Sequence, residues 1–280
     1  MKISVITINY NDGAGLRKTV ESVVCQTYPD IEFIVIDGGS KDDSTEVIRE
    51  YQQHMAFWVS EPDQGIYNAM NKGISRATGE YCIFMNSGDS FRNEHTVEDA
   101  FKQAKGADLI CGSIVMGNGQ TVTPHQAITL DTIFEHAICH QSSFIRTSLM
   151  KKYGYDESLK IVADRKFFVQ ALILENCSYE AIPVDIADYD ITGFSAQNRT
   201  VSRLEYAKVL EELIPERIRL DYGTIKQGAL YGDSPYEKLF AEIGLREYRK
   251  PVYLIASLLL RFIAIFKKSA SFIRNFPVKL

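Results

Sequence analysis

Long apolar runs are scarce in this sequence. Residues 3 to 8 are mostly apolar but give way at once to Asn9, Tyr10, Asn11 and Asp12. The extended core of a signal peptide is therefore missing, and the segment reads as a first strand. Near the other end, Val252 to Phe266 is interrupted by Arg261 and falls short of the roughly 20 apolar residues a spanning helix needs. Cysteine pairing is lacking too. The five cysteines, Cys25, Cys82, Cys111, Cys139 and Cys177, are odd in number and far apart, with no Cys-x-x-Cys pair to hold zinc or run thiol redox chemistry. These absences predict a cytoplasmic protein with reduced thiols. No repeat or low-complexity segment occurs. A Gly-rich phosphate loop after the first strand is also missing, since Asn11-Asp12-Gly13-Ala14-Gly15 only faintly resembles one; this counts against nucleotidyl transfer.

Positive charge is short wherever a core would form. The formal net charge is −5, yet residues 245 to 280 hold eight Lys and Arg against Glu247 alone, a local +7, which by difference leaves the first 244 residues at −12. Such a body lacks the basic face that nucleic acid demands. What the chain does have is length and apolar content: 280 residues, 45% of them hydrophobic, are enough to bury a large core.

The first half alternates short β-branched runs with helical stretches. Strands are expected at 4–8, 31–37, 56–60, 81–85 and 108–115, with helices over 15–25, 43–51, 65–77 and 96–104. This is the order of a parallel α/β sheet with crossover helices. Residues 116–130 read as a loop or hairpin, 163–175 as a helix, 179–190 as a strand, and 199–213 as a helix.

In open parallel sheets, ligands sit outside the carboxyl ends of the strands. The first strand ends in Thr7, Asn9, Tyr10, Asn11 and Asp12, and the second in Asp37, Gly38, Gly39 and Ser40. Asp42 or Ser44 suits a helix cap, whereas Asp37, closing an apolar strand, suits a ring N–H or a ribose hydroxyl. In residues 65–77, Ile66, Met70, Ile74 and Ala77 share one helical face, while Asn68, Asn71, Lys72 and Ser75 share another. The polar stripe is either solvated surface or, with the helix N-terminus near Gly65, a seat for a diphosphate. Asn86-Ser87-Gly88-Asp89, past the fourth strand, is either a plain turn or a carboxylate site for Mg²⁺ or Mn²⁺.

These segments, in this order, resemble the family-two glycosyltransferases over about residues 1 to 200. The matches are Asn9-Tyr10-Asn11, Asp37-Gly38-Gly39-Ser40-Lys41-Asp42, Asn71-Lys72-Gly73 and Asn86-Ser87-Gly88-Asp89. The resemblance implies a GT-A fold, with a mostly parallel, Rossmann-like sheet flanked by helices and a C-terminal helical extension. It divides the chain into a nucleotide-sugar half (1–90), an acceptor half (91–200) and the extension (201–280). It also implies donor-binding roles for Thr7, Asn9, Asp37, Asn71 and Lys72, and a divalent cation, Mg²⁺ or Mn²⁺, on Asp89. The general base would be Asp164, which matches the family's position ahead of Phe167-Phe168, though it also suits a helix cap. His140 would stand at the acceptor site, and Ile191 to Ser195 would form a loop near the donor.

Three positions depart from the pattern. Gly38 replaces the second acid of the usual Asp-Asp pair, Met70 stands where an Arg is common, and the metal motif keeps only Asp89. The expected activity is an inverting, metal-dependent hexosyl transfer in cell-surface polysaccharide synthesis. The donor is a nucleotide diphosphate sugar, UDP-linked by analogy, and the acceptor is a saccharide or a polyprenyl-linked glycan. The alternatives are a catalytically inactive nucleotide-sugar-binding scaffold or a nucleotidyltransferase. For the tail, helical spacing sets Ser257, Arg261 and Lys268 apart from Ile255, Leu259, Phe262, Ile263 and Phe266. Segment 249–268 then either packs on the core or on a second subunit, or lies in the plane of an anionic membrane surface.

Overall fold

The computed structural model describes residues 1–190 and 198–226. Strand β1 (Ile3–Asn9) shows why the N-terminal half folds as it does. Successive side chains point to opposite sides of a strand, and both sides here are apolar: Ile3 and Val5 join one buried cluster, Ile6 the other. The same alternation divides β2 (Ile31–Asp37), with Phe33 and Val35 on one face and Ile34 and Ile36 on the other. Strands apolar on both faces need cover on both faces. Helices α1 (Gly13–Val24) and α2 (Ser44–Tyr51) bring Leu16, Val20, Val47 and Ile48 to the first face, and α3 (Ile66–Arg76) brings Ala69, Met70 and Ile74 to the second. At Gly73 a Cβ would lie 2.4 Å from Ile6 Cγ2, so α3 rests against β1 through a bare backbone.

After β3 (Phe57–Ser60) and β4 (Tyr81–Phe84) come β5 (Ser90–Phe91), α4 (Thr96–Gln103) and β6 (Leu109–Met116). Next are β7 (Thr121–Val122), α5 (Leu130–Glu135), β8 (Ser143–Arg146), α6 (Thr147–Tyr153), α7 (Ala163–Val169), β9 (Tyr179–Tyr189) and α8 (Arg199–Leu213). Among the described residues one sheet holds nine strands, in the order β3-β2-β1-β4-β8-β6-β9-β5, with β7 on β6. Its longest ladders, β1 with β2 and β6 with β9, are parallel. Strand β8 runs antiparallel between β4 and β6 and joins the two halves.

The alternation read from the sequence is present through β6, and the 116–130 stretch includes the β6–β7 hairpin. The 163–175 helix is α7 followed by a π turn over Gln170–Leu174. Residues 1–215 form one compact unit that includes α8, placed in the extension on sequence grounds. Tyr206, Val209 and Ile214 are buried with the core of that unit, which is why α8 belongs to it. The second unit begins at Glu216 and is described only as α9 (Glu216–Lys226). The Ile191–Ser195 loop and the 249–268 segment lie outside the described residues.

Candidate active site

The carboxyl ends of β1, β2 and β4 open onto a cleft of about 600 Å³, closed on its far side by residues from 140–141, 160–164 and 189–190. Two turns shape its floor. At the end of β2, the Asp37 carboxylate is wholly buried and accepts from Asn9 Nδ2 (2.8 Å), the Ser40 N–H (3.0 Å), Ser40 Oγ (2.5 Å) and Ser60 Oγ (2.5 Å). Burial pushes the Asp37 carboxyl up, but the Ser40 and Ser60 hydroxyls with the Asn9 amide hold it below the ordinary carboxylate range. Asp37 thus ties the ends of β1, β2 and β3 together.

The second turn is 86–89. The β1 ladder continues past β4, with Met85 N–H on Ile6 O and Ser87 N–H on Ile8 O. Thr7 Oγ1 donates to Met85 O (2.7 Å), Thr19 Oγ1 to Asp89 O (2.6 Å), and Lys18 Nζ to Gly88 O (2.7 Å). Gly88, at φ 94°, occupies the left-handed region, which suits glycine rather than a second metal-motif acid. A Cβ there would lie 2.9 Å from Asp190 Oδ2, so a carboxylate from the end of β9 stands over the gap.

Asp89 is 4% exposed and accepts from the Asp190 N–H (2.9 Å). Burial pushes its carboxyl up to about 6, and the charge of Asp190 adds to this; the Asp190 N–H, His140 and Gln141 act against it. Among the described residues, no three His, Cys, Asp or Glu side chains converge as a cation cage. Two neighbouring carboxylates on a cleft wall do fit a cation that takes the rest of its shell from donor phosphates and water, the usual habit of Mg²⁺.

Across the cleft, His140 bridges the halves. Its Nδ1 lies 3.2 Å from Asp164 Oδ2, and its Nε2 lies 3.3 Å from Asn86 Nδ2. With Asn86 donating to Nε2, the proton of a neutral ring is assigned to Nδ1, directed at Asp164. The Arg165 N–H donates to the other Asp164 oxygen at 2.8 Å. Asp164 sits in the first turn of α7, and α8 steadies that region: Lys166 pairs with Asp156 and Glu212, and Glu205 accepts from the Lys160 and Ile161 amides.

Of the residues singled out from the sequence, Asn9, Asp89, His140 and Asp164 line the cleft. Thr7, Asp37, Asn71 and Lys72 stand behind its wall. Asn71 exchanges hydrogen bonds with the Tyr155 backbone and donates to Glu157, all at 2.8 Å, while Lys72 Nζ contacts Asp63 (2.6 Å) and Glu61 (2.8 Å). Asp63, Lys160 and Asp190 line the cleft and were missed. The only local sign of Asp190 was its place at the end of the 179–190 strand. Asn9 Oδ1 and Asn86 Oδ1 are buried without a hydrogen-bond donor, an arrangement that costs free energy unless a ligand or water supplies one.

A family model described as Glycosyl transferase family 2 matches residues 4–169. An uncharacterised glycosyltransferase of Mycobacterium tuberculosis (strain CDC 1551 / Oshkosh) is 35% identical over 206 residues, covering 68% of this chain and 76% of that protein. A PGL/p-HBAD biosynthesis glycosyltransferase of Mycobacterium bovis (strain BCG / Pasteur 1173P2) is 27% identical over 215 residues, 74% of this chain and 83% of that one. Among solved structures, S. aureus TarS 1-349 in complex with UDP-GlcNAc superposes with a TM-score of 0.62 at 21% identity, over 78% of this chain and 69% of that one. Of a longer TarS chain, the match spans 41%. The mannosyltransferase PcManGT from Pyrobaculum calidifontis, in complex with GDP-Man and Mn²⁺, gives a TM-score of 0.57 at 15% identity, over 92% and 86% of the two chains. At such identities the structural likeness is one of fold, and the fold is of the GT-A type.

Proposed function

The chain belongs to glycosyl transferase family 2, and from that premise we propose that it moves a sugar from a UDP-linked donor to a hydroxyl of a saccharide or lipid-linked acceptor, with inversion, in cell-surface glycan synthesis. The observation that carries this reading is the cleft itself, in which Asp164 and His140 from the second half face Asn86 and Asp89 from the first. A direct displacement needs a base on the acceptor side and stabilisation of the leaving group on the other, held in line. The relatives point the same way. One is named for PGL/p-HBAD biosynthesis, and two fold neighbours hold nucleotide sugars.

Asp164 accepts the acceptor's hydroxyl proton as that oxygen attacks the anomeric carbon. The His140 N–H and the Arg165 amide hold the carboxylate in one orientation, leaving the remaining lone pairs for the incoming proton. No covalent intermediate forms. Asp89 and Asp190 are the residues that would hold Mg²⁺ or Mn²⁺, which when bound neutralises charge on the leaving diphosphate. Lys160, also on the cleft, supplies a cationic side chain, and α3 turns its N-terminus at Gly65–Ile66 toward the same space.

Release of UDP from UDP-sugars, followed with and without Mn²⁺, tests the reading. A working transferase liberates some nucleoside diphosphate even without acceptor. Binding of the donor with no release under any condition would leave a scaffold in place of an enzyme.

A further inference from the structure

The acid missing from the end of β2 has a neighbour in space. A Cβ built on Gly38 would lie 3.0 Å from Asp63 Oδ2 and 3.1 Å from Tyr10 Cδ2. Gly38 is not among the positive-φ glycines, in contrast to Gly39 at φ 78°, so backbone conformation does not explain its small size. The space beside it belongs instead to a carboxylate delivered by the loop between β3 and α3. That carboxylate is held, not loose. Its side chain is 11% exposed, and Lys72 Nζ lies 2.6 Å from Oδ1 while also gripping Glu61 Oε1 at 2.8 Å. Asp63 lines the cleft with Oδ2 on the Gly38 side, where the exposed Tyr10 ring also approaches, and Asn9, another lining residue, has its Oδ1 buried without a donor. A flat ring with an N–H on its edge would lie against Tyr10 and meet Oδ2.

We propose that Asp63, anchored through one oxygen by Lys72, is the residue that reads the donor's nucleobase and selects uracil, in place of the acid absent at position 38. The inference rests on the nucleotide-sugar reading of the cleft. Its direction comes from counting acceptors. With Oδ1 taken by Lys72, the carboxylate offers one oxygen to the base. Uracil presents a single ring N–H between two carbonyl oxygens, which one acceptor satisfies. Guanine presents a ring N–H beside an amino group, and one oxygen leaves a donor unmatched. Cytosine and adenine set a ring acceptor next to their amino group, and that acceptor repels a carboxylate.

The test is titration calorimetry of the full-length protein with UDP, GDP and CDP in the presence of Mn²⁺, on wild type, Asp63→Ala and Asp63→Asn. Wild type should bind UDP at least about tenfold more tightly than GDP or CDP. Asp63→Ala should weaken UDP by about tenfold while moving GDP by less than about threefold, so that the ratio collapses. Asp63→Asn, which keeps the side-chain shape and an oxygen for Lys72, should lose the same preference and covers the case in which the alanine variant is unstable. A wild-type preference for GDP or CDP overturns the inference. Equal weakening of all three ligands does so as well, since that is what a purely structural role predicts. Either result leaves the transferase reading standing. No binding of any nucleoside diphosphate to wild type overturns both.

Discussion

Asp89 pairs chemistry with an energetic cost that can be measured. An acid raised by burial from 3.8 to about 6 keeps its proton, in the folded chain, across a pH window where the unfolded chain has released it. The folded state then binds more protons than the unfolded state, so metal-free stability falls as pH rises through that window and levels off above it. Asp89→Asn removes the buried charge. In chelator, urea unfolding should find this variant more stable than wild type at pH 8 by roughly 1–3 kcal/mol, with the gap closing near pH 4. A wild type more stable than the variant at pH 8 would mean that the site neutralises Asp89 unaided. Asp89→Ala should also lose the response of donor binding to Mn²⁺. On the acceptor side, Asp164→Asn keeps the side-chain shape but cannot take a proton. Transfer should fall by about 10²–10⁴-fold while UDP affinity, by calorimetry, stays within about twofold. Transfer persisting near the wild-type rate would reduce Asp164 to its first-turn role on α7.

At the scale of elements, α3 does more than fill a face of the sheet. Asn71, on its polar stripe, clasps the Tyr155 backbone and Glu157, and so fixes the turn that precedes Asp164. Asn71→Ala should cost about 2–3 kcal/mol in urea unfolding and lower turnover more than donor affinity. A ligand-contacting Asn71 would give the reverse, weaker donor binding with unchanged stability. The sequence could place α3 and its two stripes because helical period is local. It could not tell which polar residues look outward to a ligand and which look across to another loop. Strands β1 to β4 were legible for the same reason, as apolar runs closed by polar turns. Residues 130–160 were not, because α5, β8 and α6 are each short and β8 takes its identity from long-range pairing with β4 and β6. Asp63 and Asp190 escaped notice because each reaches the cleft by tertiary placement, one beside Gly38 and one beside Gly88. In both places a glycine in the sequence looked like a lost acid, and the fold brings one from elsewhere.

The whole molecule is divided by charge. The first 244 residues stand at −12 and residues 245 to 280 at +7. An acidic body is repelled by an anionic bilayer, so any attraction has to come from the C-terminal segment, where Arg249, Lys250, Arg261, Lys267 and Lys268 accompany the apolar run 252–266. Each basic residue near an anionic surface contributes about 1 kcal/mol, and the aromatic and aliphatic residues between them can enter the lipid boundary. A lipid-linked acceptor would then be held at high local concentration beside the enzyme. The expected outcome is that the intact protein sediments with anionic vesicles at low salt and is released as salt approaches about 1 M, where screening shortens to about 3 Å. Neutral vesicles should retain much less. A chain ending near residue 245 keeps all of the 1–215 unit with its buried clusters, so it should stay in the supernatant and melt at the wild-type temperature. Should the intact protein ignore anionic vesicles, or the shortened chain melt early, the segment serves the core or a second subunit, and the acceptor must reach the cleft without help from the membrane.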